Sequence, residues 1–279
     1  MNQRSVSFGK FTNNIYFCPR LKQFYFLKLS YITPMYQSLK QVVKKILPTR
    51  LLFKFEPFIR FFLWQFYRGN RFRCNVCNKG IRSFIEMKNG DKLCPRCGSL
   101  SRNRRTWEMI APDIISKELT VLDFSPSRTL YRVMKSNLKG NYYSSDLSGD
   151  FISDYQFDIT KIDTEDNRFD LVICYHILEH VIDDLQAMRE LHRVTKKGGL
   201  CLIQTPFKEG EVYEDLNITS EQERLIHFGQ IDHVRIYSVE SLRNRLTECG
   251  FLVEVKEFSE LENNKFGFHT QEVILICKA

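Results

Sequence analysis

No stretch of the chain approaches the roughly 18 uncharged apolar residues that a bilayer-spanning helix needs, and charged side chains break the longer apolar runs. Arg20, Lys22 and Lys28 interrupt the early apolar segments, so no signal peptide is read. No internal repeat is present. The nine cysteines are an odd number without a disulfide-like framework: Cys18, Cys174, Cys201, Cys249 and Cys277 stand alone. That pattern points to a reducing compartment and a cytoplasmic protein. Acids are almost missing from residues 1–70, where Glu56 alone faces 12 Lys and Arg, a net of +11. The other 209 residues hold 29 basic and 32 acidic side chains, so the overall +8 belongs to the N-terminal segment.

That segment, residues 1–70, also carries 17 of the 37 aromatic residues. Basic and aromatic together suggest an arm that meets an anionic membrane surface or an anionic polymer, with peripheral attachment to the inner face of the membrane as one outcome. Residues 1–35 show no clean period. Residues 36–47 and 51–68 read as amphipathic helices separated by Pro48, with Pro57 expected to kink the second. The second leaves only a thin polar stripe of Lys54, Arg60, Gln65 and Arg68. It needs an apolar partner, either the membrane interface through residues 36–68 or a neighbouring domain.

Cys74 and Cys77 form one C-x2-C pair, and Cys94 and Cys97 another sixteen residues on. Each such turn presents two thiolates to one ion, and two turns complete a tetrahedron, so the spacing predicts a structural Zn2+ site in a zinc-ribbon-like module. A redox dithiol accounts for one pair but not for two. The module and a linking helix are placed at 71–112. That helix, from Ser101 to Ile110, is expected to expose Arg102, Arg104 and Arg105.

From 113 onward apolar strands alternate with helical periods. The strand 120–124 ends at Asp123, and 142–146 ends at Asp146, 23 residues later. An acid at that place can accept hydrogen bonds from a ribose diol. A third short strand, 157–160, carries Asp158. The fourth, 169–174, is an uncharged run from Leu171 to Cys174 that stops at Tyr175 and His176. Side chains at the carboxyl ends of such strands face a site. The fifth, 200–206, follows Gly198 and Gly199, which are read as closing the preceding helix. Residues 251–255 and 271–277 complete the set, the last in an antiparallel place. The pattern predicts an α/β fold: a doubly wound, mostly parallel, seven-stranded Rossmann-like sheet over 113–279.

His176, Glu179 and His180 also match the H-x-x-E-H string of one zinc-peptidase group. That site needs both histidines on one face of a regular helix, whereas this string begins where a strand ends. Glu179 and His180 holding a divalent ion is a weaker reading. Residues 207–237 form an insertion read as a substrate lid. Ser220 and Glu223 form a capping box there, and Gly229 can end the short helix. Phe228, Ile231, Val234 and Ile236 are taken to pack down and so present His227, Gln230, Asp232, His233, Arg235 and Tyr237.

The strands ending in Asp123, Asp146 and Asp158, with the fourth-strand segment 169–181, resemble a class I S-adenosylmethionine-dependent methyltransferase over about 119–258. With the four cysteines and the segment 227–237, residues 71–279 resemble a bacterial branch of methyltransferase type 11-like proteins that carry an N-terminal zinc-ribbon-like module. The resemblance implies S-adenosyl-L-methionine as cofactor. By position, Asp123, Ser125 and Ser127 would face its methionine part, Asp146 its ribose, Asp158 and Ile159 its adenine, while Tyr175 and His176 would stand beside the sulfonium. The family usually has D-x-G-x-G-x-G after the first strand. Here Ser125, Ser127 and Thr129 replace all three glycines, which puts close approach of the cofactor in doubt.

These readings predict a transferase acting on a small-molecule or saccharide-like acceptor, with His176, His180, His227 and His233 as candidate catalytic bases. An RNA methyltransferase using the zinc module to bind nucleic acid, and an inactive methyltransferase-fold binding protein at the membrane surface, are the alternatives.

Overall fold

The computed structural model describes residues 49–149, 151–259 and 262–279. The expected short strands before residue 35 and the helix at 36–47 lie outside the described residues. By internal contacts the chain divides into two compact units, 1–54 and 55–279. The main sheet, the cysteine hairpins and every candidate site residue belong to the second.

A single helix, α1 (Thr49–Tyr67), runs through Pro57. Two small hairpins come after it. One is β1 (Arg68–Cys74) with β2 (Lys79–Ile81), the other β3 (Ile85–Glu86) with β4 (Lys92–Leu93). Then come α2 (Ser101–Ser116), β5 (Val121–Phe124), α3 (Arg128–Leu138), β6 (Tyr142–Ser145), β7 (Phe169–Tyr175), α4 (Asp184–Val194) and β8 (Thr195–Gln204). The chain closes with β9 (Tyr213–Glu214), α5 (Glu221–Phe228), β10 (Arg235–Ile236), α6 (Val239–Glu248), β11 (Leu252–Phe258) and β12 (Glu272–Lys278).

Six strands make the main sheet, in the order β11-β12-β8-β7-β5-β6. The pairs from β6 to β8 are parallel, and β12 runs antiparallel between β8 and β11, as the apolar alternation of the last strand suggested. The expected third strand is reduced to one parallel bridge, Ser145 to Tyr155. Side chains replace the ladder there: the Phe157 N–H donates to Ser145 Oγ at 2.8 Å, and Asp158 folds onto its own turn, accepting from the Thr160 N–H at 2.8 Å. The glycine pair also differs from expectation. α4 ends at Val194, and Gly198 and Gly199 lie within β8, where the register with β7 shifts. A Cβ on Gly199 would stand 2.9 Å from the Lys196 carbonyl oxygen, so only glycine allows that approach.

Both sheet faces are covered because the strand side chains alternate. Val121, Leu171, Ile173 and Leu202 pack under Trp107 and Ile110 of α2 and Leu130 and Met134 of α3. Leu122, Val172, Cys174 and Ile203 pack against Ala187, Met188 and Leu191 of α4 and Leu242 and Leu246 of α6. This two-sided burial explains the uncharged run of β7. A fully buried Leu or Ile here stabilises the fold by about 1.5–3 kcal/mol.

One polarity reading is overturned. Arg104 has no exposed surface and Arg105 is buried, while Arg102 alone of the three is exposed. Arg104 donates to the carbonyl oxygens of Lys92 (2.9 Å), Ser99 (2.7 Å), Phe266 (2.6 Å) and Gly267 (2.7 Å), and its guanidinium lies 4.2 Å from the Phe84 ring centre. It therefore ties the cysteine hairpins to the loop between β11 and β12. Of the polar stripe expected along α1 only Arg60 is buried, while Lys54, Gln65 and Arg68 are exposed. Glu56 and Arg60 pair at 2.8 Å on the inner side, whereas Phe58, Phe62 and Phe66 are exposed. No helix among the described residues is long and apolar enough to cross a membrane.

Arg104→Ala leaves four carbonyls without their donor in a place water does not reach. The loss expected is about 3–5 kcal/mol, read from the midpoint and slope of denaturant unfolding. A loss below about 1 kcal/mol would show that the guanidinium is not what joins hairpins and loop.

Candidate functional site

The carboxyl ends of β5, β6, β7 and β8 share one edge, and β12 begins there because it runs the other way. Asp123, on β5, is 2% exposed and accepts from the Tyr142 hydroxyl at 3.0 Å. Burial pushes its carboxyl up to about 7 against this hydrogen bond. Asp146, one residue past β6, lies beside the turn that leaves β5. Ser125 there has φ +47°, a left-handed conformation that a serine adopts at some cost. Its N–H donates to the Ser145 carbonyl at 2.7 Å and its hydroxyl to Asp146 Oδ1 at 2.7 Å. Asp146 Oδ2 accepts from Ser148 Oγ at 2.9 Å and from the Phe151 N–H at 3.2 Å. Ser127 caps α3, its Oγ accepting from the Leu130 N–H at 3.2 Å.

The three strand-tip acids do not all converge. Asp123 turns into the interior, Asp146 stands at the first turn, Asp158 is exposed and its neighbour Ile159 packs in the core. Of the residues matched by position to the cofactor, the structure joins Ser125 with Asp146 directly.

Past β7 the chain reverses at His176, φ +57°, whose N–H still donates to the Gln204 carbonyl at 2.7 Å. The string 176–180 forms a short 3-10 turn, Leu178–His180, and α4 begins only at Asp184, so the regular helix of a peptidase site is absent. His176 Nδ1 lies 3.4 Å from Glu179 Oε1, an ion-pair distance without hydrogen-bond geometry. Tyr175 points to the α2 face. Its buried hydroxyl lies beside Thr106 without a well-formed hydrogen bond, and burial pushes the phenol far up. Beside it are residues that strand periodicity did not single out. Gln204 Nε2 donates to Glu272 Oε1 at 3.1 Å, and Arg105 Nε reaches Glu272 Oε2 at 3.4 Å. The Arg105 guanidinium lies against Phe258 and Phe268 at 4.1 and 3.9 Å. A signal for them was at hand: Gln204 and Thr205 end the fifth strand, and Glu272 opens the antiparallel one.

The insertion presents only half of the side chains it was expected to: His227, Gln230 and Asp232 are exposed, and Phe228 packs down as expected. His233, Arg235 and Tyr237 are the buried ones, while Ile231 is 50% exposed. Arg235 donates to the carbonyl oxygens of Leu178 (3.2 Å), Val181 and Ile182 (2.8 Å), and Tyr237 donates to Asp184 Oδ2 at 2.5 Å. The Val234 N–H donates to the Glu179 carbonyl at 2.9 Å. Arg245 joins Asp184 (2.7 Å) to Glu214 (2.5 Å), and Glu214 also accepts from Arg235 at 2.9 Å. Strand-like alternation failed because the polar face is the one that caps the 178–182 turn. The expected capping box holds, with Ser220 before α5 and Gly229 left-handed after it. His227 is exposed, paired with the Tyr213 hydroxyl at 2.6 Å, and belongs to no cluster with the other histidines among the described residues.

The sulfurs of Cys74, Cys77, Cys94 and Cys97 lie within 4.8 Å of one another. Cys74 and Cys97 are 3.6 Å apart, Cys77 and Cys94 3.9 Å. A tetrahedron of thiolates at about 2.3 Å from a central Zn2+ has edges of about 3.8 Å, so the donor set and spacing fit that ion. Sulfur-to-sulfur hydrogen bonds, first with Cys77, pull the Cys74 thiol far down, and those from Cys74 push Cys77 far up.

A doubly wound sheet with a carboxylate at the tip of its second parallel strand, beside a left-handed turn, defines a nucleoside-binding α/β protein. Residues 100–255 match the family described as a methyltransferase domain, and the chain belongs to that family of S-adenosylmethionine-dependent class I methyltransferases. No curated protein matches the sequence. A SAM-dependent methyltransferase from Archaeoglobus fulgidus is similar at 16% identity, covering 63% of this chain and 92% of its own, with a TM-score of 0.46. One from Mesorhizobium loti is similar at 16% identity, covering 61% and 97%, with a TM-score of 0.44.

The buried carboxyl of Asp123 carries a pH signature. Its folded-state value lies above the unfolded one, so the stabilisation of the neutral form is complete below about pH 4 and is lost as pH rises to about 7. Asp123→Asn should remove that slope and be the more stable protein at pH 8, by at most about 4 kcal/mol. Denaturant midpoints at pH 5 and pH 8 test this; parallel pH profiles for the two proteins would refute it.

Proposed function

We propose that the protein transfers the methyl group of S-adenosylmethionine to a hydroxyl of a small or saccharide-like acceptor held at the edge formed by β7, β8 and β12. The observation that carries this reading is the His176 turn. A left-handed residue directly after β7 brings a half-exposed imidazole to the strand ends, with the buried Glu179 behind it at 3.4 Å. Glu179 orients the ring, and the nitrogen that does not face it is left to accept the acceptor's proton. With the cofactor bound, that oxygen would take the methyl carbon and the carbon–sulfur electron pair would leave on sulfur.

The residues at the β5 and β6 tips fit the cofactor. Asp146 would accept from its ribose hydroxyls, and the left-handed Ser125 keeps the turn that a glycine makes elsewhere in the family. When bound, S-adenosylmethionine supplies a methyl group made electrophilic by the sulfonium. Ser125 has a second effect, since its hydroxyl takes an acceptor position of Asp146 that a ribose hydroxyl would use. The unpartnered buried hydroxyl of Thr205, directly after β8, is the polar group we assign to acceptor recognition.

Titration calorimetry with S-adenosylmethionine is the direct test. Asp146→Ala should abolish binding. Ser125→Gly, which frees Asp146 and relieves roughly 1 kcal/mol of backbone strain, should tighten it about fivefold or more. A wild-type protein that does not bind the cofactor would remove the reading. For the four cysteines we propose a structural Zn2+. One zinc per chain is expected by atomic emission, and its removal by a chelator should lower the unfolding temperature. An unchanged unfolding temperature after complete removal would count against a structural ion.

A further inference from the structure

The turn after β7 gathers a second set of metal-ligating side chains, far in sequence from the cysteines. Glu179 is 1% exposed, and neither of its carboxylate oxygens has a hydrogen-bond partner among the described residues. His233 is 3% exposed, and its Nε2 likewise has none. One donor atom from each of these, with a ring nitrogen of His180, all lie within 4.8 Å of one another. The two imidazoles meet edge to face, with ring centres 4.6 Å apart.

We infer that Glu179, His180 and His233 form a binding site for a first-row divalent cation, distinct from the four-cysteine centre. A buried carboxylate without donors costs several kcal/mol unless a positive charge answers it. His176 answers only in part, at 3.4 Å from one oxygen. The outer contacts are those of ligands held for an ion. His180 Nδ1 sits 3.3 Å from the Asp232 carbonyl and 3.2 Å from its carboxylate. Such second contacts fix the ring and leave the other nitrogen for a metal. The supporting turn is rigid, held by Arg235 on three carbonyls and by the Val234 N–H on Glu179.

Two imidazoles and one carboxylate suit Mn2+, Fe2+, Co2+, Ni2+ or Zn2+ rather than Ca2+ or Mg2+. A ligand set around an ion at about 2.1 Å has edges of about 3.4 Å, so binding draws the three side chains together by a rotamer adjustment. The His176 and His180 side chains are each 31% exposed, which leaves the site open on the side of the strand ends. On the methyl-transfer reading, an ion held by these three residues would supply a Lewis acid beside the acceptor hydroxyl, with His176 the residue placed to take its proton.

The test is Mn2+ titration of the full chain, with the free ion followed by electron paramagnetic resonance, in the absence of cofactor and acceptor. Mn2+ is chosen because it competes poorly for thiolates. The wild type should bind one Mn2+ per chain. Glu179→Gln, nearly isosteric, and His233→Ala should weaken binding at least about tenfold, while His227→Ala, in the same insertion but away from the cluster, should bind like the wild type. Unfolding midpoints for each variant establish that it is folded. Absence of Mn2+, Co2+ and second-equivalent Zn2+ binding by the wild type overturns the site, as does undiminished binding by Glu179→Gln. Because the measurement needs no turnover, a protein that binds the ion but transfers no methyl group defeats the functional reading and leaves the metal site standing.

Discussion

Guanidinium groups buried against backbone carbonyls hold both accessory parts of this molecule to its sheet. Arg104 spends its donors on Lys92, Ser99, Phe266 and Gly267, which joins the cysteine hairpins to the loop before β12. Arg235 does the same for the turn after β7, with Leu178, Val181 and Ile182. A buried guanidinium is tolerable only when its donors are met, so each of these residues fixes several strands of chain at once. The cysteine cluster adds a reason for Arg104 to stay charged. Burial lowers its proton affinity, and Cys74, Cys94 and Cys97 restore part of it.

The candidate catalytic edge depends on this fixing. Asp184, Tyr237, Arg245 and Glu214 form a packed ionic cluster behind the Leu178–His180 turn. In front of it stand Glu179, His180 and His233, and beside them His176. A loop could not hold a carboxylate without hydrogen-bond donors in the interior; a turn clamped from behind can. The same edge receives Gln204, Thr205 and Glu272, so the acceptor end is built from segments that are distant in the chain but anchored to neighbouring strands.

Much of the frame was legible in the residues. The uncharged run Leu171–Cys174 marked a strand covered on both faces, the Cys74–Cys97 spacing marked a four-sulfur cluster, and the alternation of 271–277 marked an antiparallel strand. What escaped reading had a common cause. Arg104, Arg105 and Arg235 were expected on exposed faces, and each is instead buried against carbonyls or carboxylates brought from elsewhere. Those partners come from remote stretches, so no local period reveals them. The third strand failed for a related reason, since Ser145 and Asp158 satisfy the backbone that a ladder would have used. Ser125 could be recognised as a departure, but only its φ of +47° shows that the turn survives the lost glycine.

β12 lies between β8 and β11, yet it is the last element in the chain, well past the region recognised as the methyltransferase domain, residues 100–255. A fragment trimmed to that region would keep β8, cut β11 in the middle and lose the strand that separates them. It would also strip Arg104 of the acceptors supplied from both sides of the cut. A shortened version for crystallisation therefore has to retain the cysteine hairpins and β12 as well as the recognisable region.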